Sequence, residues 1–247
     1  MKRAVLFFIA AVLILLGTGC ASPGKAIIAQ RDPIALVSMV SNRDINWKGE
    51  GPTNPNAFSI FGNSTLRGDP DMTLVSYADE LINTAETLFR NAVNASPIIN
   101  LADKEAVLSS HAYLEARANE STRNTLVKPS PNGTIGADYR FVNLRDKSLP
   151  AALARETGIQ RVMFVEFDFT KSMYSGFGKN GEGRADVDMN IFILDSSGKM
   201  LYNKTFSSWS RSTTKITGGV YSQTGIMELF EEAIDNVCQD FLYQLEN

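Results

Sequence analysis

The chain is poor in the residues that most often carry chemistry. Of its 247 residues only one is histidine, His111, and only two are cysteine, Cys20 and Cys238. It also lacks an excess of positive charge: 24 Lys and Arg against 27 Asp and Glu leave a formal charge of -3. A mildly acidic chain has no electrostatic footprint for the phosphate backbone, which excludes nucleic acid as a partner class. Long apolar runs are missing as well from Pro23 onward, where none approaches the roughly 20 residues that a membrane-spanning helix needs.

The exception is the N-terminus. Lys2 and Arg3 precede an uninterrupted apolar run from Ala4 to Leu16, and small residues then lead into Cys20. This is the three-part layout of a secretory signal, and the run is too short to stay behind as a span. Leu16-Gly17-Thr18-Gly19-Cys20 resembles a lipobox, with Leu16 one place further from the cysteine than in the standard box. The resemblance implies cleavage between Gly19 and Cys20 and acylation of Cys20. Several acyl chains would then hold the mature N-terminus on a bilayer, since each buried methylene contributes roughly 0.8 kcal/mol. Ala21, in the second mature position, favours the outer membrane by similarity to lipoprotein sorting rules. Loss of Lys2 and Arg3 with the leader takes the formal charge from -3 to -5. Cys238 is then the only free thiol, so no internal disulfide is available and the fold must rest on its core. The expected organisation is a signal peptide over 1–19, a lipidated tether over 20–30 and a single domain over 31–247.

Within that domain, Ile34 to Ser41 is aliphatic enough for a buried strand. The stretch 42–71, rich in Gly, Pro, Asn and Asp, reads as a long loop insertion pinned by scattered aromatics such as Trp47. Apolar residues three or four apart predict an amphipathic helix from Thr73 to Ala95. Pro97 to Leu101 suggests a short strand, Asp103 the cap of a helix through Ala116, and Tyr139 to Val142 another strand. Asn119 to Asp138 between them reads as a polar loop. Pro150 and Gly158 bracket a helix from Ser148. Arg161 to Thr170 and Ala185 to Leu194 alternate apolar and polar residues as strands with one wet face do. Ser172 to Gly183 between them reads as a flexible hairpin connection, and Asp195-Ser-Ser-Gly198 as a tight turn into a strand from Met200 to Trp209. A last helix from Gly225 to Leu245 carries one apolar stripe. The expected fold is α/β: a mixed, largely antiparallel sheet with helices packed against it in one domain.

Catalytic sets are sparse. His111 shares a helix with Ser110, but neighbours in sequence do not share a helix face, and no nucleophile elbow precedes any serine. One histidine and one thiol do not make a zinc site of the common kind. Asp186 and Asp188, with Glu166 or Asp168 from the adjacent strand, share a sheet face that suits solvation better than a cation. The glycines at 176, 178, 181 and 183 do not open a helix and so do not form a phosphate cradle. Cys238 falls among apolar positions as a small buried hydrophobe. No cofactor is implied. Surface aromatics remain, and Trp47, Tyr174, Phe177 and Trp209 are the candidate partner-binding residues.

Leu153-Ala-Arg-Glu-Thr-Gly158, the strand from Val162 to Phe169, a glycine-containing hairpin and Asp195-Ser-Ser-Gly-Lys-Met-Leu-Tyr202 together resemble a periplasmic lipoprotein superfamily. It includes penicillin-binding-protein activator lipoproteins and the curli-secretion lipoprotein. The resemblance covers 149–245, rests on turn and packing signals, and implies an α/β fold and a non-enzymatic role. The expected function is that of a lipid-anchored outer-membrane lipoprotein facing the periplasm, which binds an envelope protein or lipid. One alternative is a membrane-perturbing role for the helices at 73–95 and 225–245, and the other is an envelope hydrolase.

Overall fold

The structure, a computed structural model, describes residues 32–48, 67–68, 74–116, 133–177 and 180–246. The expected signal peptide, the tether, Gly19 and Cys20 lie outside the described residues, as does most of the 42–71 insertion.

A long hairpin organises the sheet. Strand β4 (Arg161–Phe177) pairs antiparallel with β5 (Asn180–Asp195) along nearly its whole length. Strand β1 (Ile34–Asn42) lies parallel to β4 on the far side and pairs antiparallel with the short β3 (Gly133–Ile135). The other edge of β5 carries two strands in line. β6 (Met200–Trp209) runs beside Asp186 to Leu194, and β7 (Thr214–Thr217) runs beside Gly181 to Gly183. β8 (Val220–Tyr221) extends the sheet outside β7, and β2 (Arg67–Gly68) lies parallel beyond it. The sheet is therefore mixed and mostly antiparallel, as expected for this α/β domain.

Two layers of helix follow from the alternation along the strands. On one face, Val165, Phe167 and Phe169 of β4 and Val187, Met189, Ile191 and Ile193 of β5 meet helices α1 (Leu74–Ala95) and α5 (Gln223–Glu246). Phe89 of α1 stacks on Phe241 of α5 at 6.1 Å, and Phe230 meets Phe169 edge-on at 5.6 Å. Among the described side chains, both amphipathic helices thus turn their apolar stripes toward the core. No helix among the described residues is long and apolar enough to cross a membrane.

The opposite face is divided. Its lower half, with Ala35, Val37, Val162, Phe164, Phe192 and Leu194, is covered by α2 (Lys104–Leu108), α3 (His111–Leu114) and α4 (Ser148–Thr157). Asp103 caps α2 by accepting from the Ala106 N–H at 2.8 Å, and Gly158 ends α4 in the left-handed conformation at φ 78°. The helix expected from Asp103 to Ala116 is broken at Ser109 and Ser110, where the Ser110 side chain accepts from the Tyr113 N–H and starts a separate turn.

Several expected elements differ. Pro97 to Leu101 forms only a single bridge, Leu101 to Ile34. Tyr139 to Val142 is not a strand; the Tyr139 ring is buried under Lys104 and its hydroxyl sits between Glu86 and Arg90. Gly133 to Ile135, expected to be loop, is a strand because β1 offers it an open edge. Ser172 to Gly183 is not a flexible connection either: both strands continue to Phe177 and Asn180, with one bulge between Met173 and Ser175.

Candidate functional site

The upper half of the second face is polar. Asp168 stands directly opposite Asp188, Thr170 opposite Asp186 and Glu166 opposite Asn190. Asp186 is buried, and its Oδ1 lies 3.4 Å from both Lys48 Nζ and Arg184 Nη2. These carboxylates lie along one face of the sheet. Among the described residues no group of three or more His, Cys, Asp or Glu side chains converges as metal ligands would.

The hairpin end carries the aromatics. Tyr174 and Phe177 are 62% and 82% exposed, and Trp209 at the end of β6 is 53% exposed with the Arg184 guanidinium 5.2 Å from its ring centre. Those three stand at the surface as expected. Trp47 does not, and its assignment to a binding surface is corrected: it is 5% exposed, bridges in parallel to Lys171 and meets Tyr221 edge-on at 5.4 Å. The reason is Gly183, whose missing side chain leaves room for the indole; a Cβ there would come within 2.8 Å of Trp47 Cη2. Lys171 Nζ donates to Tyr221 Oη at 3.0 Å and lies over both rings, 5.6 Å from that of Trp47 and 5.4 Å from that of Tyr221. Sequence gave one hint of this cluster, a lysine in the apolar phase of β4.

Other candidates fall elsewhere. His111 is exposed on α3 with Nε2 3.3 Å from Glu115. Ser110 Oγ donates to the Val107 carbonyl at 2.7 Å and serves as a helix cap. Glu156 accepts from the backbone N–H groups of Ala112 and His111, which hold its carboxyl below the usual range. Cys238 is buried in α5, and burial followed by the nearby Asp235 charge pushes its thiol far above the usual value. An open groove of about 500 Å³ lies between the C-terminal ends of α1 and α5, lined in part by Ala92, Pro97, Leu242 and Tyr243.

No family model and no curated protein matches the chain. Among solved structures, a hypothetical protein from Chlamydia trachomatis, CT253, is similar at 7% identity and a TM-score of 0.29, over 87% of this chain and 94% of that one. A likeness of that size carries no functional inference.

Proposed function

We propose that the chain is an envelope lipoprotein, held by acyl chains on Cys20 at the periplasmic face of the outer membrane, that acts by binding a protein partner without turnover. The observation that carries this is the order Lys2-Arg3, apolar Ala4 to Leu16, small residues and Cys20. The folded part supports it in two ways. The helices direct their apolar stripes into the core, so attachment to lipid is left to the N-terminus. The hairpin end exposes Tyr174, Phe177 and Trp209, large rings that resemble the anchors of protein interfaces.

The test is intact mass spectrometry of the protein extracted from membranes, with and without globomycin, beside a Cys20→Ser variant. Acyl mass on Cys20, lost in the variant and reduced by globomycin, is the expected result. Full-length chain with its leader intact in the soluble fraction would overturn the proposal. Crosslinking from a photoreactive residue at position 177 then reads the partner arm: a discrete protein adduct supports it, and recovery of uncrosslinked protein alone counts against it.

A further inference from the structure

The sheet has an open slot along β6. The Ser210 N–H donates to the Ala185 carbonyl at 2.9 Å, in register with the pairing of Asp186 and Trp209. In an antiparallel ladder alternate residues point toward the partner strand. Ser208, Phe206 and Lys204 therefore face β5, and Asn203, Thr205, Ser207 and Trp209 turn their backbone N–H and C=O groups outward. Asn236 Nδ2 reaches the Trp209 carbonyl at 3.2 Å; among the described residues, no strand pairs with the edge. At the neighbouring β7, the same side of the sheet is extended by β8 and then β2. A strand added to β6 would lie in line with β8 and fill the step.

An edge this long with no strand beside it among the described residues is an anomaly, because β6 has no proline and only one charged residue, Lys204. Lys204 does not guard the edge, since its ammonium is bonded to Gln244 on α5. The surroundings of the slot are acidic on both faces. On the helix side, α5 carries Glu228, Glu231, Glu232, Asp235, Asp240 and Glu246 and no Lys or Arg. Its row Glu232, Asn236, Asp240 and Gln244 follows β6: Glu232 accepts from the N–H groups of Arg211 and Ser212, Asn236 holds Trp209, and Gln244 holds Lys204. Asp240, exposed, sits between the last two contacts. On the opposite face, the half-buried Asp188 stands beside Ser207, while Asp186, beside Trp209, is buried and already paired with Lys48 and Arg184. Asp240 and Glu246 also sit toward the C-terminal end of α5, where the helix dipole disfavours negative charge.

We infer that the β6 edge is a docking site for an extended segment of a partner protein that carries Lys or Arg, added as a further antiparallel or parallel strand. The backbone pairing supplies the affinity, and Glu232 and Asp240 on α5 together with Asp188 select basic side chains on the incoming strand. A second copy of this chain fits poorly. Apposing two β6 edges about a two-fold axis normal to the sheet would bring two acidic α5 helices side by side. The inference deepens the partner-binding half of the proposed function and does not depend on the lipid anchor.

The experiment uses the whole chain in a neutral detergent and three synthetic probes of about eight residues, a length that spans most of β6. The first alternates lysine with valine and threonine. The second replaces its lysines with glutamate. The third is the lysine peptide N-methylated at alternate residues, which keeps the charge and removes the ladder donors. Amide hydrogen exchange at Asn203, Thr205, Ser207 and Trp209 is the readout. The lysine peptide should slow these four amides by about tenfold or more at saturation, and the other two should not. Thr205→Pro removes an outward N–H that the β5 ladder does not use, so it should abolish the protection with the sheet intact. Asp240→Lys, an exposed change, should weaken the lysine peptide several-fold. Equal protection by the glutamate or N-methylated probe would overturn the inference, as would no protection by the lysine peptide. Protection that grows with protein concentration in the absence of peptide would overturn it in favour of a second copy. None of these readouts depends on acyl mass at Cys20, so failure of one proposal is distinguishable from failure of the other.

Discussion

The side chain of Asn42 replaces a strand for Phe169: its Nδ2 donates to the Phe169 carbonyl and its Oδ1 accepts from the Phe169 N–H, both at 2.8 Å. Strand β1 ends at Asn42, one residue after Ser41, which is its last partner position along β4, and the amide continues the ladder to Phe169, two residues beyond Phe167. The site is buried, so no water replaces the lost bonds when the amide is removed. Asn42→Ala should lower unfolding free energy by about 2–4 kcal/mol, since two buried backbone groups lose their partners. Asn42→Asp should be no better, because a carboxylate keeps the acceptor and turns the donor into a second acceptor facing a carbonyl. Urea denaturation of the three proteins measures both.

Buried tyrosines divide by what their hydroxyls meet. The Tyr113 hydroxyl accepts from the Arg140 N–H at 2.8 Å, and burial first, against the opposing bond to Arg140, pushes its pKa up to about 12. Tyr139 Oη donates to Glu86 Oε1 at 3.2 Å and accepts from Arg90 Nη2. Tyr77, 2% exposed, has no partner for its hydroxyl among the described residues, and burial holds it far from ionising. Tyr77→Phe should therefore be neutral or raise stability by about 1 kcal/mol, while Tyr139→Phe should cost about 1–2 kcal/mol by leaving Arg90 and Glu86 underbonded. Thermal or urea melts decide; a destabilised Tyr77→Phe would contradict the assignment.

The two tryptophans should separate core from surface. Trp47→Ala should cost about 3–5 kcal/mol, the usual range for emptying a buried large aromatic site. Trp47→Phe should cost far less, because the indole N–H has no partner to lose among the described residues. Trp209 is half-exposed and, among the described residues, stacked only by Arg184, so Trp209→Ala should change stability by about 0.5–1 kcal/mol. Equal losses at both positions would remove the distinction drawn between them.

What the sequence made legible was local. The alternation in Val165 to Phe169 placed β4 and its two faces, Asp103 and Gly158 marked a helix start and a helix end, and Asp195 to Gly198 marked a turn. That turn closes through Asp195 Oδ1, which accepts from the Ser197 and Lys199 N–H groups at 2.8 and 3.0 Å. What it hid was set by partners far away in the chain. Gly133 to Ile135, Thr214 to Thr217 and Val220 to Tyr221 are two to four residues long and carry too little pattern to be read. Their strand state comes from the edges of β1, β5 and β7. The glycines at 181 and 183 read as a mobile tip, whereas Gly183 is the floor on which Trp47 rests. The candidate aromatics divided the same way: Tyr174 and Phe177 fall in a stretch read as a polar connection and Trp209 at a strand end, which put them at the surface, and Trp47 could not be placed, because its burial depends on Lys171, Gly183 and Tyr221 at once.

Acid should loosen the junction between β6 and α5 through Glu232. Burial alone would raise its carboxyl, but the Ser212 side chain and the N–H groups of Ser212 and Arg211 bind the ionised form and leave it below its ordinary value. A carboxyl lowered on folding contributes stability that is fully present above its unfolded value, near 4.3, and lost as pH falls through the lower folded value. Glu232→Gln removes that contribution, so the variant should be less stable than the parent at pH 7. The two should converge toward pH 3, with the parent's stability falling more steeply across the interval. Hydrogen exchange at Arg211 and Ser212 should rise over the same window in the parent, because those two amides are the donors that Glu232 holds. A gap between the proteins that stays constant from pH 7 to pH 3 would mean that the variant acts through packing and not through the ionised carboxylate.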